Sequence, residues 1–272
     1  EITDWVLWQD SDIIHYFIDH FDELDELSSR TFKTDPVVAI TTAFIPFFSR
    51  LKDELITPEY LEKYYAPKEW SREWVSDNFP ALHAGTNKEE AALQLQDLIQ
   101  VYHWFQSVKA REKALDFGDM LLHCYTLLHG NPVVLKKVQN RYRHFFIDEY
   151  QDNNFALNKI INLISARYQS ITVVGDEDQC IYSFRGANYY NIQDFIGRYG
   201  NHPDFSVIKL EENRRSTQEI LSLANASIIN NTKRNLKILE TPKNNPKHGP
   251  IPIWTITESR DTKIEVPTLI KR

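Results

Sequence analysis

Two acidic runs and one pair of arginines carry the residue types from which a catalytic site can be built. Asp148-Glu149-Tyr150-Gln151-Asp152 follows the short apolar stretch beginning at His144, and Gly175-Asp176-Glu177-Asp178-Gln179 follows another beginning at Ser170. In open α/β sheets ligands collect outside the carboxyl ends of strands, which is where both runs fall if these stretches are strands. An Asp at such a strand end can hold Mg²⁺ that bridges nucleotide phosphates. A Glu beside it can orient and deprotonate an attacking water. The plain alternative is a solvated acidic turn before a helix N-terminus, which favours acids by itself.

After Gln179 the chain continues as Ile181-Tyr182-Ser183-Phe184-Arg185-Gly186-Ala187. Two aromatics so placed can stack on unpaired bases, at about 1–3 kcal/mol each, or they can be ordinary core. Leu210-Glu211-Glu212-Asn213-Arg214-Arg215-Ser216-Thr217 closes a third apolar stretch. An Arg there can reach a γ-phosphate held by a neighbouring domain, or the two can be a surface pair. A phosphate loop, G-x-x-x-x-G-K-[ST], is missing: none of the eight glycines precedes a Lys-Ser or Lys-Thr pair. That loop would supply the backbone cradle, the phosphate lysine and a second Mg²⁺ ligand.

The elements needed to position these residues are legible. His144 to Asp148, a helix-period segment from Phe155 to Ile164, and Ser170 to Asp176 read as strand, helix and strand, a βαβ unit. The near-continuous apolar strands predict a parallel sheet covered on both faces. Phe205 to Leu210 reads as a third strand, and Ser216-Thr-Gln-Glu219 as a capping box opening a helix. Lys243 to Pro252 reads as a loop, and Ile251 to Ile256 as the start of a further strand.

Upstream the pattern is helical. Ile13, Ile14, Phe17, Ile18 and Phe21 recur at helical spacing, and Val37 to Leu51 is apolar-rich. Thr57-Pro58 marks a helix start, and Pro67 opens a short segment with Trp70 and Trp74. Past Gly85-Thr86-Asn87 a long helix is predicted to about Lys113, with Ala92, Leu95, Ile99, Tyr102 and Phe105 as its apolar stripe. Asp116 is the predicted N-cap of a helix over Met120 to Leu128, with Gly130 at its C-terminal cap and Pro132 beyond.

A chain of 272 residues, 42% hydrophobic and 25% charged, is long and apolar enough to bury a core in one large domain or two ordinary ones. Cys124 and Cys180 lack CxxC spacing, which argues against a disulfide framework or a zinc site. No charged-then-apolar leader and no membrane-length apolar run occurs, so the expected location is cytoplasmic. The net charge of -7 places any nucleic-acid contact on local basic groups, not on the total. Residues 1–30 hold nine Asp/Glu against Arg30 alone, which reads as a solvated helix face or a protein-facing patch.

Taken in order, these segments resemble superfamily 1A helicases of the UvrD/Rep/PcrA type. DEYQD resembles the family's motif II, VGDEDQCIYSFRGA its motif III and LEENRRST its motif IV, while Ala114 to Leu121 resembles the approach to motif II. The likeness covers roughly residues 110–230, and residues 1–110 resemble the helical 1B subdomain more loosely. It implies an α/β fold: part of a RecA-like P-loop NTPase motor domain with a parallel sheet, preceded by a mostly helical subdomain. The expected division is 1–112 for the helical 1B-like subdomain, 113–210 for the C-terminal part of motor domain 1A, and 211–272 for the start of 2A.

Carried over by resemblance, Asp148 would bind Mg²⁺ and Glu149 would be the base for ATP hydrolysis, with Asp176 supporting them. Gln179 would sense the γ-phosphate, Arg185 would link motif III to the nucleotide, and Arg215 would be the arginine finger. Tyr182 and Phe184 would stack on single-stranded DNA. Arg214 stands where the family usually has an adenine-stacking Tyr, and a guanidinium also stacks on a π face. Cys180 replaces a common Ser, and Phe184 a frequent Trp.

The implied parent is an ATP-dependent DNA helicase moving 3′ to 5′ in repair, replication or recombination, using ATP and Mg²⁺. Its expected partners are single-stranded and duplex DNA and other repair or replication proteins. Lacking the phosphate loop and the later motifs V and VI, the chain is expected to start after the first motifs, to stop just inside 2A and to be inactive alone. Two other readings stand beside this one. One is a non-catalytic interaction module docking through its acidic N-terminal helices. The other is the motor part of an AddA/RecB-type helicase–nuclease, although no nuclease carboxylate–lysine cluster is recognisable.

Overall fold

The computed structural model describes residues 4–24, 27–28, 32, 35–65, 88–181, 190–231 and 236–250. Contacts divide the chain into two compact units, residues 1–192 and 193–272. The expectations for Trp70 and Trp74, for Tyr182, Phe184 and Arg185, and for a strand over residues 251–256 lie outside the described residues.

The first unit is mostly helical, with two small parallel strand pairs. Strand β1 (Val6–Leu7) leads into helix α1 (Asp10–Asp19). A helical run α2 follows, built of Pro36–Val38, a π-helical turn Ala39–Phe44 and Ile45–Asp53. Pro46 explains that turn: proline lacks an N–H and clashes with the carbonyl four residues back, and the widened turn relieves the crowding. The Ile45 N–H accordingly donates to the Ile40 carbonyl, five residues back. Helix α3 (Pro58–Tyr65) starts where expected, its Tyr60 N–H donating to the Thr57 hydroxyl at 3.2 Å.

Helix α4 (Lys88–Arg111) is the long helix predicted, and Leu95, Tyr102 and Phe105 of its stripe are buried. They meet Phe17 of α1 and Phe44 and Phe48 of α2 in one core. Phe48 stacks on Tyr102 with centroids 4.7 Å apart, and Phe17 lies 5.0 Å from Phe105. Each such ring contributes roughly 1.5–3 kcal/mol by burial, so much of the aromatic content is core. Ile18 departs from its expected stripe and is exposed, as are Asp10, Asp12, Asp19, Asp22 and Glu23. The acidic N-terminal helix face is therefore exposed, as both a solvated face and a protein-facing patch would be.

Strand β2 (Ala114–Leu115) pairs in parallel with β1, a pairing too short to show a period in the sequence. Helix α5 (Phe117–Gly130) begins at the predicted N-cap: Asp116 accepts from the Asp119 N–H at 2.9 Å, and Asp119 accepts from the Asp116 N–H at 3.0 Å. Its end differs from expectation. Gly130 is the last helical residue and Asn131 the C-cap, in extended conformation. Asn131 also caps helix α6 (Pro132–Arg141), so Pro132 opens a helix where it was expected only to follow one. A proline at the first helical position and one Asn serving two helices leave no loop to mark the break.

The βαβ unit is present. Strand β3 (Phe145–Ile147), helix α7 (Phe155–Ser165) and strand β4 (Ile171–Val173) follow in order. The strands pair in parallel, Phe145 opposite Ile171 and Ile147 opposite Val173. Helix α7 packs on α5 and α6. The expectation of cover on both faces is corrected: Phe146 is 80% exposed, because among the described residues nothing packs over that face.

In the second unit, helix α8 (Asn191–Tyr199), which straddles the division, brings Phe195 within 6.5 Å of Phe205. Helix α9 is Gln218–Ile228. Two expectations fail here. Phe205 to Leu210 is not a strand: Val207, Ile208 and Leu210 are exposed and no described strand pairs with them, leaving a single parallel bridge between Glu212 and Glu240. The Ser216 capping box does not form either, because Thr217 is the N-cap. Asn213 accepts from the Arg215 and Ser216 N–H groups at 2.9 and 2.8 Å, which shifts the start by one residue. Glu219 is drawn off to the Gly249 N–H at 2.9 Å and to His248 at 3.0 Å. Hydrogen bonds from its own backbone N–H, from Gly249 and from His248 hold its pKa down at about 2.

Candidate nucleotide site

The site is built where β3 and β4 end side by side. The Val174 N–H donates to the Ile147 carbonyl at 2.8 Å, and the Tyr150 N–H to the Val174 carbonyl at 2.9 Å, carrying the ladder past both strands. Between these bonds stand Asp148 and Glu149, both exposed. Glu149 is left-handed, with φ 48°. For a residue other than glycine this costs of order 1–3 kcal/mol and persists only where the surroundings over-determine it. Its N–H donates to Asp148 Oδ1 at 3.0 Å, and its carbonyl accepts from the Asp152 N–H at 2.8 Å, closing the tight turn Tyr150–Asp152.

One buried side chain joins the two strand ends. Gln151, 2% exposed, donates from Nε2 to Glu149 Oε2 at 2.8 Å and accepts at Oε1 from the Asp176 N–H at 2.9 Å. Asp176 accepts from Gln179 Nε2 at 2.8 Å and from the Asp178 N–H at 2.9 Å. Gly175 leaves the room this needs: a Cβ there would stand 2.7 Å from Gln151 Oε1. Thus Asp148 and Glu149 at one strand end and Asp176 and Gln179 at the other are brought into one hydrogen-bonded group.

The turn is clamped from behind. Buried Asn191 donates to the Asn153 carbonyl at 2.7 Å and more weakly to those of Tyr150 and Gln151, both at 3.4 Å. Its own oxygen accepts from Asn158 Nδ2 at 2.9 Å, and Asn158 accepts from Asn153 Nδ2 at 3.1 Å. Asn154 caps α7 through the Leu157 N–H and donates to Asp53 of α2 at 2.6 Å. Burial pushes the Asp53 carboxyl up to about 6, against the pull of Arg50 and Asn154.

Beside Asp53 lies a buried set of four charges. Lys52 and Lys109 each pair with both Asp116 and Asp119; the Lys52–Asp119 and Lys109–Asp116 contacts are both 2.9 Å. Burial opposes charge on Lys52, Lys109 and Asp116. For Asp116 the two ammonium groups outweigh it and hold the carboxyl well below the usual range. For Lys52 the two carboxylates outweigh it and raise its pKa. For Lys109 burial and the neighbouring Lys52 prevail, lowering it to about 8.

In the second unit, Arg214 is exposed and paired with Glu212, Nη2 to Oε1 2.7 Å. Arg215 is exposed, on the turn that Asn213 forms before α9. No sequence motif by itself points to Asn191 or the buried lysines. Gln151 had a signal, standing inside the acidic run, whereas Lys52 and Asn191 depend on contacts across 64 and about 40 residues.

The chain matches the UvrD/REP helicase N-terminal domain over residues 3–200. It belongs to that family. Among relatives, it is 35% identical over 202 residues to an ATP-dependent DNA helicase PcrA of Staphylococcus aureus, covering 74% of this chain and 24% of that protein. A protein of the same name from Staphylococcus epidermidis is 34% identical over 198 residues, covering 73% of this chain and 23% of its own length. The chain thus spans about a quarter of the curated relatives it matches. The family match includes both acidic runs and stops short of Arg214 and Arg215.

Among the described residues no three His, Cys, Asp or Glu gather as a metal cage. Mg²⁺ is commonly held without such a cage, by one or two carboxylates plus substrate phosphates. Asp148 is an exposed carboxylate at the end of β3. No helix among the described residues is long and apolar enough to cross a membrane.

Proposed function

We propose that the chain is the part of an ATP-dependent DNA helicase that carries the hydrolytic half of a nucleotide site. The observation that supports this is the joined strand ends: Glu149, Gln151, Asp176 and Gln179 form one hydrogen-bonded series beside Asp148. In this reading residues 113–210 are part of a RecA-like P-loop NTPase motor domain 1A, residues 1–112 the helical 1B-like subdomain, and residues 211–272 the start of 2A. The whole protein would move 3′ to 5′ on single-stranded DNA and open duplex DNA in repair, replication or recombination. It would work with other such proteins, in the cytoplasm.

Each residue then has a chemical task. Asp148 would hold Mg²⁺, which would supply positive charge to offset that of the phosphates. Glu149 takes the proton of the attacking water. Gln179, anchored on Asp176, meets the γ-phosphate, and Arg185 joins it to the DNA-contacting segment. Tyr182 and Phe184 stack on bases, Arg214 lies on adenine, and Arg215 stabilises charge on the transferring phosphoryl group. The phosphate cradle is not among these 272 residues, so hydrolysis belongs to the protein that adds it.

The test is strand displacement by the full-length protein carrying this sequence, on a duplex with a 3′ single-stranded tail. ATP-dependent unwinding lost in Arg215→Ala is expected. No unwinding, with single-stranded DNA binding indifferent to Tyr182→Ala, would instead favour a non-catalytic interaction module.

A further inference from the structure

Glu149 is exposed and sits on a strained backbone, so its carboxylate needs something to aim it. Within the hydrolysis reading given above, on which this inference rests, we propose that Gln151 is a positioning residue for Glu149. Its amide is fixed at both ends: Nε2 donates to the Glu149 carboxylate at 2.8 Å, and Oε1 accepts from the Asp176 N–H at 2.9 Å. The opposite amide orientation would set an oxygen against a carboxylate and an NH₂ against an N–H, so the partners select one orientation. Burial at 2% exposure removes competing water, so no solvent molecule replaces these partners for the amide. The Gln151 carbonyl is itself held, accepting from Asn191 Nδ2 at 3.4 Å, and its backbone lies in the turn that Glu149 opens.

The same amide ties the base to the γ-phosphate side of the site. Asp176, whose N–H holds Gln151, accepts from Gln179 through its carboxylate, so a shift of Gln179 reaches Glu149 through two side chains. Gly175 belongs to this device: a Cβ there would come within 2.7 Å of Gln151 Oε1 and displace the end of that side chain. Gly175→Ala and Gln151→Met therefore act on the same contact from opposite sides. Methionine keeps the length and volume of glutamine and removes both hydrogen bonds, which separates aiming from packing.

The test is steady-state ATP hydrolysis by the full-length protein carrying this sequence, with single-stranded DNA present. Misplacing a reacting group by about 1 Å costs on the order of 100-fold. Gln151→Met is expected to lower kcat by about that factor with KM for ATP unchanged, and Gly175→Ala to lower it in the same way. A rate that depends on Glu149 but is unaltered in Gln151→Met would overturn the inference alone. Equal rates for the wild type and Glu149→Gln would overturn the hydrolysis reading and the inference with it.

Discussion

Replacing Lys52 by Met should destabilise the chain by about 3–5 kcal/mol, the usual cost of removing one partner from a buried ion pair. Lys52 is 1% exposed and its ammonium lies between Asp116 and Asp119. With Lys109 the four charges sum to zero; without Lys52 two carboxylates face one ammonium in a buried site. Methionine retains most of the apolar stem, so little of the loss is packing. A domain has roughly 5–15 kcal/mol of stability in all, so the variant should unfold at much lower urea. The assay is urea denaturation followed by far-UV circular dichroism at pH 7, comparing midpoints at constant slope.

The double variant Lys52→Met/Asp119→Asn sharpens the test. Asparagine still offers an oxygen to the Asp116 N–H, now 3.0 Å from Asp119 Oδ2, and the remaining Lys109–Asp116 pair is balanced. The second substitution should therefore return about 2 kcal/mol or more, a coupling expected only between groups in direct contact. A Lys52→Met cost below about 1 kcal/mol, or two costs that simply add, would show that Lys52 and Asp119 are not coupled as a buried pair.

Three further outcomes follow from the same geometry. Asp53 has its folded pKa raised to about 6, so the stability its protonated form contributes is lost as pH rises through that value. Asp53→Asn should then melt higher than wild type at pH 7, with the advantage vanishing near pH 4. Asp116 is depressed, so its contribution is present above the unfolded carboxyl value and lost as pH falls through the folded one. Asp116→Asn should flatten the acid limb of a melting-temperature series taken below about pH 4. The purified 272-residue chain should show no ATP hydrolysis in a phosphate-release assay, since it has no G-x-x-x-x-G-K-[ST] loop; release abolished by Glu149→Gln would contradict this.

The parts of the fold that depend on local pattern were legible from the chain. The α4 stripe, the Asp116 cap and the β3–α7–β4 unit follow from period, cap chemistry and apolar runs, each read from residues near one another in the chain. The parts set by distant partners were not. Phe205 to Leu210 has strand composition, but strand formation needs a neighbour, and among the described residues none pairs with it. Glu219 has the spacing of a capping box, yet Gly249 and His248 compete for its carboxylate and win. In the site, the acidic runs could be found because they follow apolar stretches directly. The bond from Gln151 to Asp176 could not, since it exists only once β3 and β4 lie side by side.

In the proposed function Glu149 is the base of an ATP-hydrolysing motor. This role is tested most directly by the rate of ATP hydrolysis of the full-length protein carrying this sequence, with and without single-stranded DNA, before and after Glu149→Gln. A DNA-stimulated rate that falls by a factor on the order of 10² to 10⁴, the usual contribution of a positioned general base, is expected. A rate that survives Glu149→Gln, or one that DNA does not alter, would contradict it.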